Sequence, residues 1–262
     1  MLQGLKIKIQ VFLKYQNLLA NLVSRDIKVR YRRSVLGMLW TVLNPLLMMG
    51  VITVVFSTLF RQNIEHFPIY YLSGSLIFSF SSETTSNALY SIIGNASLMK
   101  KVYLPKYLFP VSKIVSGLVN LGFSLVAMFL VMWLLGVEYR VTLLLLPIPI
   151  FYTFLFATGL GLLLSAATVF FRDISHFYGV FVMAWTYFTP IFYPVDILPE
   201  TARAVMSWNP MFHYVQYMRE LILAGTFPSM KENLVCFLFG AVMLVLGTWV
   251  FYKKQDQFVL YI

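Results

Sequence analysis

The apolar residues of this 262-residue chain come in blocks of about twenty, the length an α-helix needs to cross a hydrocarbon core ~30 Å thick. That spacing settles the class before any motif is considered. A soluble domain of this size needs far more polar residues to cover its core than the 11% charged content here supplies. The expected fold is therefore all-α and polytopic. Six spans are placed at residues 38–60, 67–90, 111–135, 142–170, 177–193 and 234–252. The second is the least regular, because Glu83 sits in the polar run SSETTSN. A carboxylate facing lipid is costly, so Glu83 is expected to point into the protein.

Lys and Arg counts in the loops orient the spans. Fifteen of the twenty basic residues precede span one, lie between spans two and three or four and five, or follow span six. The other side holds Arg61, Arg140, Arg203, Arg219 and Lys231. Both termini are thus expected in the cytoplasm, in an inner (plasma) membrane. The first 35 residues carry eight basic side chains and no continuous apolar core, so the run from Met38 is expected to act as an uncleaved anchor. Residues 1–262 read as a single transmembrane domain, with an interface helix over 1–35 and the six-span bundle over 36–262.

Two segments are not spans. Phe12, Leu19, Val23 and Ile27 recur at helical spacing on one side of the N-terminal segment, opposite Lys14, Asn17, Asn21, Arg25, Lys28 and Arg32. That pattern predicts an amphipathic helix in the membrane interface, serving as an anchor or as a collar against a cytoplasmic partner. Residues 194–232 hold an apolar stretch too short and too charged to cross. Asn209-Pro210 opens a helix there and Gly225 closes it, which predicts two short helices in an external re-entrant hairpin between spans five and six.

Chemistry of the usual kinds is missing. No GxxxxGK[ST], GxSxG or HExxH occurs. His66, His176 and His213 are scattered, and the lone Cys236 permits neither an intrachain disulfide nor a Cys-based metal site, so no metal is expected. Two similar halves with broken helices are absent, so any transport must be powered elsewhere. What stands out is aromatic surface. Phe177, Phe181, Trp185, Phe188 and Phe192 form one stripe on span five, suited either to packing and lipid contact or to stacking on the apolar faces of sugar rings. Ala157, Gly161 and Ser165 form a small-residue face on span four that invites close helix packing, within the chain or between copies. In the second cytoplasmic loop Leu98, Met99, Val102 and Tyr103 lie beside Lys100 and Lys101, a mixture that suits a lipid interface or apolar knobs for a soluble partner.

Four segments in order resemble one family. SRDIKVRYRRSVLGMLWTVLNPLL (24–47), LMKKVYLPKYLFP (98–110), FFRDISHF (170–177) and TPIFYPVDILP with NPMFHYVQYMRELILAG (189–225) are similar to ATP-binding-cassette exporter permeases that move O-antigen, teichoic acid and capsule polysaccharides. The resemblance implies a half-transporter: a homodimer of this chain with two separate ATPase subunits that carry the ATP and Mg, leaving no cofactor here. It implies a polyprenyl-diphosphate-linked glycan as cargo, membrane lipids around it and no nucleic acid. It makes Arg25, Arg30 and Arg32 candidates to steer the lipid diphosphate, and Leu98, Met99, Lys100, Lys101, Val102 and Tyr103 the coupling surface. Two alternatives remain open: a drug or lipid exporter permease of the same superfamily, and a membrane-embedded glycosyl or acyl transferase. The transferase needs an acid/base cluster at one membrane face, and no such cluster is offered.

Overall fold

A computed structural model describes residues 14–30, 32, 34–59 and 64–262. Of the sequence expectations, Lys6, Lys8, Phe12, Arg33, Arg61 and the last residue of the first span lie outside them. Among the described residues the chain is helical throughout, with no strand. Helix α1 (Gln16–Arg30) precedes α2 (Trp40–Val54), which runs on as a π-turn over Val55–Leu59. Then come α3 (Phe67–Leu89), the short α4 (Ala96–Lys101), α5 (Leu108–Leu134), α6 (Pro147–Phe170) and α7 (Ile174–Phe188). The short helices α8 (Glu200–Met206) and α9 (Pro210–Arg219) follow, then α10 (Met230–Lys254) and α11 (Phe258–Tyr261).

Among the described residues four segments are long and apolar enough to cross a membrane: Gly37–Ser57, Leu108–Leu134, Val141–Phe170 and Met230–Tyr261. Helix α3 has the length, but Ser, Thr and Glu83 dilute its hydropathy. Helix α7 has the hydropathy, but its 15 residues rise only ~22 Å, short of the hydrocarbon thickness.

Helix α3 is the hub. It is buried over most of its length and packs against α2, α5, α6, α7 and α9. Its hydroxyls tolerate that environment because they bond back to their own helix: Thr84 donates to the Phe80 carbonyl at 2.6 Å and Thr85 to the Ser81 carbonyl at 2.6 Å. Helix α2 has a different problem. Pro45 has no N–H to offer the Thr41 carbonyl, and the Ser124 hydroxyl of α5 supplies a donor at 3.1 Å. A proline that weakens one helix thereby ties it to another.

The small-residue face of α6 is used inside the protomer. A Cβ on Gly161 would stand 3.1 Å from both Ala88 and Ile114, so this face packs on α3 and α5. The tightest crossing is elsewhere, where Gly159 of α6 meets Gly247 of α10 backbone to backbone.

A second core closes one end of the bundle. Leu22 of α1, Met99 of α4, Phe109, Val169, Phe251 and Phe258 pack together there. Lys113 of α5 pairs with Asp26 of α1 at 2.8 Å, so α1 docks on the bundle by a face centred on Leu22 rather than lying free. The C-terminal α11 folds back into this core, with the Tyr261 ring 4.9 Å from Phe170 and Lys106 donating to the Gln255 carbonyl at 2.6 Å.

Helices α8 and α9 close the other end. Asn209 caps α9 by accepting from the Met211 N–H at 3.0 Å, and Gly225 ends its π-turn at φ +64°, so both sequence signals hold. His213 clips this pair to α10: Nδ1 bonds Glu232 Oε1 at 2.7 Å and Nε2 bonds the Ser207 carbonyl at 2.8 Å. Burial disfavours the imidazolium, but the Glu232 hydrogen bond, the Ser207 carbonyl and the Glu232 charge outweigh it and raise the His213 pKa above 6.5. The stabilisation is complete below the unfolded-state pKa and fades as pH rises through the higher folded value. Thermal melts in detergent should therefore show stability falling as pH rises above about 6.5, and His213→Ala should flatten that slope. An unchanged slope in the variant would remove His213 as its source.

Candidate functional site

Ser75, Ser79 and Glu83 are spaced by four along α3 and so share one of its faces. That face opens into a groove of about 520 Å³ between α2, α3 and α5. Trp40, Asn44 and Pro45 form its α2 wall, and Gly117, Asn120 and Ser124 its α5 wall. From Glu83 to Tyr71 it extends ~18 Å along α3.

Each end of the groove is built. At the α1 end Arg30 Nη1 lies 3.4 Å from Glu83 Oε2. Glu83 is thus neutralised at the groove mouth, and its side chain stays more than half exposed instead of pointing into the interior as expected. An exposed pair at this distance contributes at most ~1 kcal/mol, weak enough to open. At the far end Tyr71 stacks on Phe192 at 5.8 Å, and Phe192 stacks on Phe56 at 6.0 Å. Of these rings Tyr71 lines the groove itself, and the stacked cluster is termed the lid.

Behind that lid stands Arg219, only 5% exposed. Its guanidinium lies 3.5 Å from the Tyr70 ring centroid and donates to the Ile191 carbonyl at 3.2 Å and the Tyr70 carbonyl at 3.4 Å. Among the described residues no carboxylate pairs with it, and its Nε and Nη1 have no partner. Tyr70 in turn donates its hydroxyl to the Tyr193 carbonyl at 2.8 Å. Both residues flanking Phe192 are therefore held by side chains, one from α9 and one from α3.

The three sequence-predicted arginines part company. Arg25 and Arg32 line one exposed cleft on α1 with Lys28 between them, and Arg25 also contacts Asn95 at 3.3 Å. Arg30 turns the other way, onto Glu83. The 98–103 segment divides as well. Met99 is buried and Leu98 partly so, both in the end core, while Lys100, Lys101, Val102 and Tyr103 stand clear of the bundle, Tyr103 at 94% exposure.

The aromatic stripe on α7 is continuous in space but not in exposure. Phe177, Phe181 and Phe188 face outward. Trp185 is 8% exposed, packs edge-on to Phe78 at 5.8 Å and donates to Asn209 Oδ1 at 2.7 Å. Truncating Trp185 would remove ~3–5 kcal/mol of packing regardless of any role in transport. Phe192 leaves the stripe for the lid. The sequence reading missed the groove, Arg219 and the lid. The i, i+4, i+8 polar face of α3 was its only local signal.

A family model described as ABC-2 type transporter matches residues 17–223. The O-antigen export system permease protein RfbA of Myxococcus xanthus is 30% identical over 247 residues, covering 94% of this chain and 95% of that one. The polysialic acid transport protein KpsM of Escherichia coli is 21% identical over 239 residues, 88% of this chain and 91% of its own. A probable multidrug ABC transporter permease, YbhS of Escherichia coli K12, is 31% identical over 138 residues, but these are 50% of this chain and 35% of YbhS.

Proposed function

The chain belongs to the ABC-2 type transporter family, and from that premise we propose that it is the membrane-spanning permease subunit of an ATP-driven exporter for lipid-linked polysaccharide. The observation that carries this reading is extent: the likeness to polysaccharide permeases runs nearly end to end in both chains, whereas the likeness to the multidrug permease covers half of this one. The groove and the exposed rings of α7 suit a sugar polymer better than a compact apolar drug.

In this reading residues 1–262 form one unit in the inner membrane, with six crossings and both termini in the cytoplasm. Helix α3, shielded by its neighbours, and helix α7 supply the two crossings that length and hydropathy alone do not. Helices α8 and α9 form the external hairpin. The chain does no chemistry of its own. Two copies pair with two ATPase subunits, which hold ATP and Mg. The α1 cleft of Arg25, Lys28 and Arg32, with Arg30 at the groove mouth, gathers the dianionic head of a polyprenyl-diphosphate carrier. Phe177, Phe181 and Phe188 offer ring faces to the glycan. Trp185 positions α7 from behind, and Phe192 serves the lid.

Coupling to the ATPase falls to the exposed tip of the 98–103 segment, with Lys100 and Lys101 as basic flanks and Val102 and Tyr103 as apolar knobs. Leu98 and Met99 root that tip in the end core, so a push on it moves the bundle. Val102→Asp with Tyr103→Asp should leave membrane levels unchanged, since exposed positions seldom cost more than ~0.5 kcal/mol. Co-purification with the ATPase should be lost, and finished lipid-linked glycan should accumulate inside the cell. Retention of the ATPase would remove the tip from the interface. Export of a drug with no glycan accumulating would favour the multidrug alternative.

A further inference from the structure

The groove between α2, α3 and α5 lies where a membrane protein has most reason to be apolar, yet it carries amides and hydroxyls. Among the described residues the side chains of Asn44, Ser79 and Asn120, which stand open to the groove, make no hydrogen bond, while the Ser75 hydroxyl bonds the Tyr71 side chain and reaches its own helix at 3.4 Å. Leaving such groups bare to hydrocarbon costs several kcal/mol in sum. A bilayer tail does not meet that need. The groove suits a hydrogen-bonding occupant better than an acyl tail.

We propose that this groove is a saccharide track, in which Asn44, Ser75, Ser79 and Asn120 exchange hydrogen bonds with the hydroxyls of the passing glycan. The proposal rests on the permease reading and places cargo contacts on a surface distinct from the α7 stripe. The chemistry favours a neutral, hydroxyl-rich ligand. Amides and hydroxyls both donate and accept, as sugar hydroxyls do. Among the described residues that line it, the charged groups are Arg30 and Glu83, which sit at one end and neutralise each other. Trp40 and Tyr71 place aromatic faces near the two ends. The volume of about 520 Å³ falls within the range of small-molecule sites. Ser75 and Ser79 stand ~6 Å apart along α3, so a polymer meets similar weak contacts at successive steps. Several weak sites in a row let a substrate enter without trapping it.

The test uses the full transporter in native membranes. Cys236 is buried, so an introduced thiol stands nearly alone as a target for a water-soluble maleimide. Ser79→Cys is the main variant, Asn44→Cys the second should the first fail to assemble, and Leu260→Cys on the exposed C-terminal helix the control. Membranes from cells blocked in glycan synthesis should label strongly at the groove. Membranes from cells exporting glycan should label severalfold less, with the control unchanged. Equal labelling in both, while export proceeds normally, would overturn the track and leave the permease reading intact. No labelling in either means that lipid or a second copy of the chain fills the groove, which also overturns it. A parent chain that moves no glycan in the same cells brings down the permease reading and the track with it.

Discussion

Leucine at Gly159 or Gly247 should abolish the folded protein. Helices α6 and α10 make the most extensive contact in the molecule, and they meet backbone to backbone. A Cβ on Gly247 would overlap the Gly159 carbonyl, and a Cβ on Gly159 would overlap the Met243 carbonyl. Neither obstacle is a flexible side chain, so the helices must separate along the crossing. Overpacking a well-packed core typically costs ~1–3 kcal/mol, and a rigid backbone clash exceeds that, enough to consume most of a marginal stability. Within a membrane the loss is not softened by hydrophobic collapse, because close van der Waals packing is itself the main attraction between helices. Gly240→Ala should be milder, since its Cβ would lie 2.9 Å from the Tyr152 carbonyl. Gly122→Leu should be tolerated, because nothing stands within 4 Å of that position. Membrane yield and detergent melts check the series. Wild-type behaviour of Gly247→Leu would show that the crossing is looser than described.

Arg219→Met should cut export severely while leaving the protein in the membrane. Burying a guanidinium without a carboxylate is costly, and replacing such a charge by an apolar residue of similar length is often neutral for stability. The stability argument therefore does not explain why the residue is arginine. Geometry does. Arg219 holds the Ile191 carbonyl and Tyr70 holds the Tyr193 carbonyl, so together they fix the turn that sets Phe192 against Tyr71 at the groove end. Methionine donates nothing to Ile191, and movements of α9 no longer reach the lid. A drop in export of more than about tenfold, equivalent to ~1.4 kcal/mol of misplacement, is expected at normal membrane levels. Wild-type export by this variant would sink the linkage between α9 and Phe192.

Several elements were legible in advance because their signals are local. The ends of α9 follow from Asn209-Pro210 and Gly225, and the packing use of the Ala157–Gly161–Ser165 face from its spacing. The mixed character of the 98–103 segment is legible, though its inward half, Leu98 and Met99, is not separable in sequence from its outward half. The stripe on α7 was legible as periodicity. Its division was not, because the burial of Trp185 depends on Asn209, 24 residues away. Glu83 resisted assignment for the same reason, since its partner Arg30 lies on another helix, 53 residues earlier.

The sequence by itself determined that this is a helical membrane protein with no catalytic or nucleotide-binding motif, and it pointed to the family. Those conclusions rest on apolar run length, charge placement and motif order, properties that a one-dimensional string carries in full. Only the tertiary structure decided where polar groups go unsatisfied, which glycines touch backbone and which arginine is buried without a counter-charge. These are facts about partners. In a bilayer, whether a side chain meets lipid, protein or an aqueous groove is set by neighbours distant in sequence, and hydropathy averages over that difference.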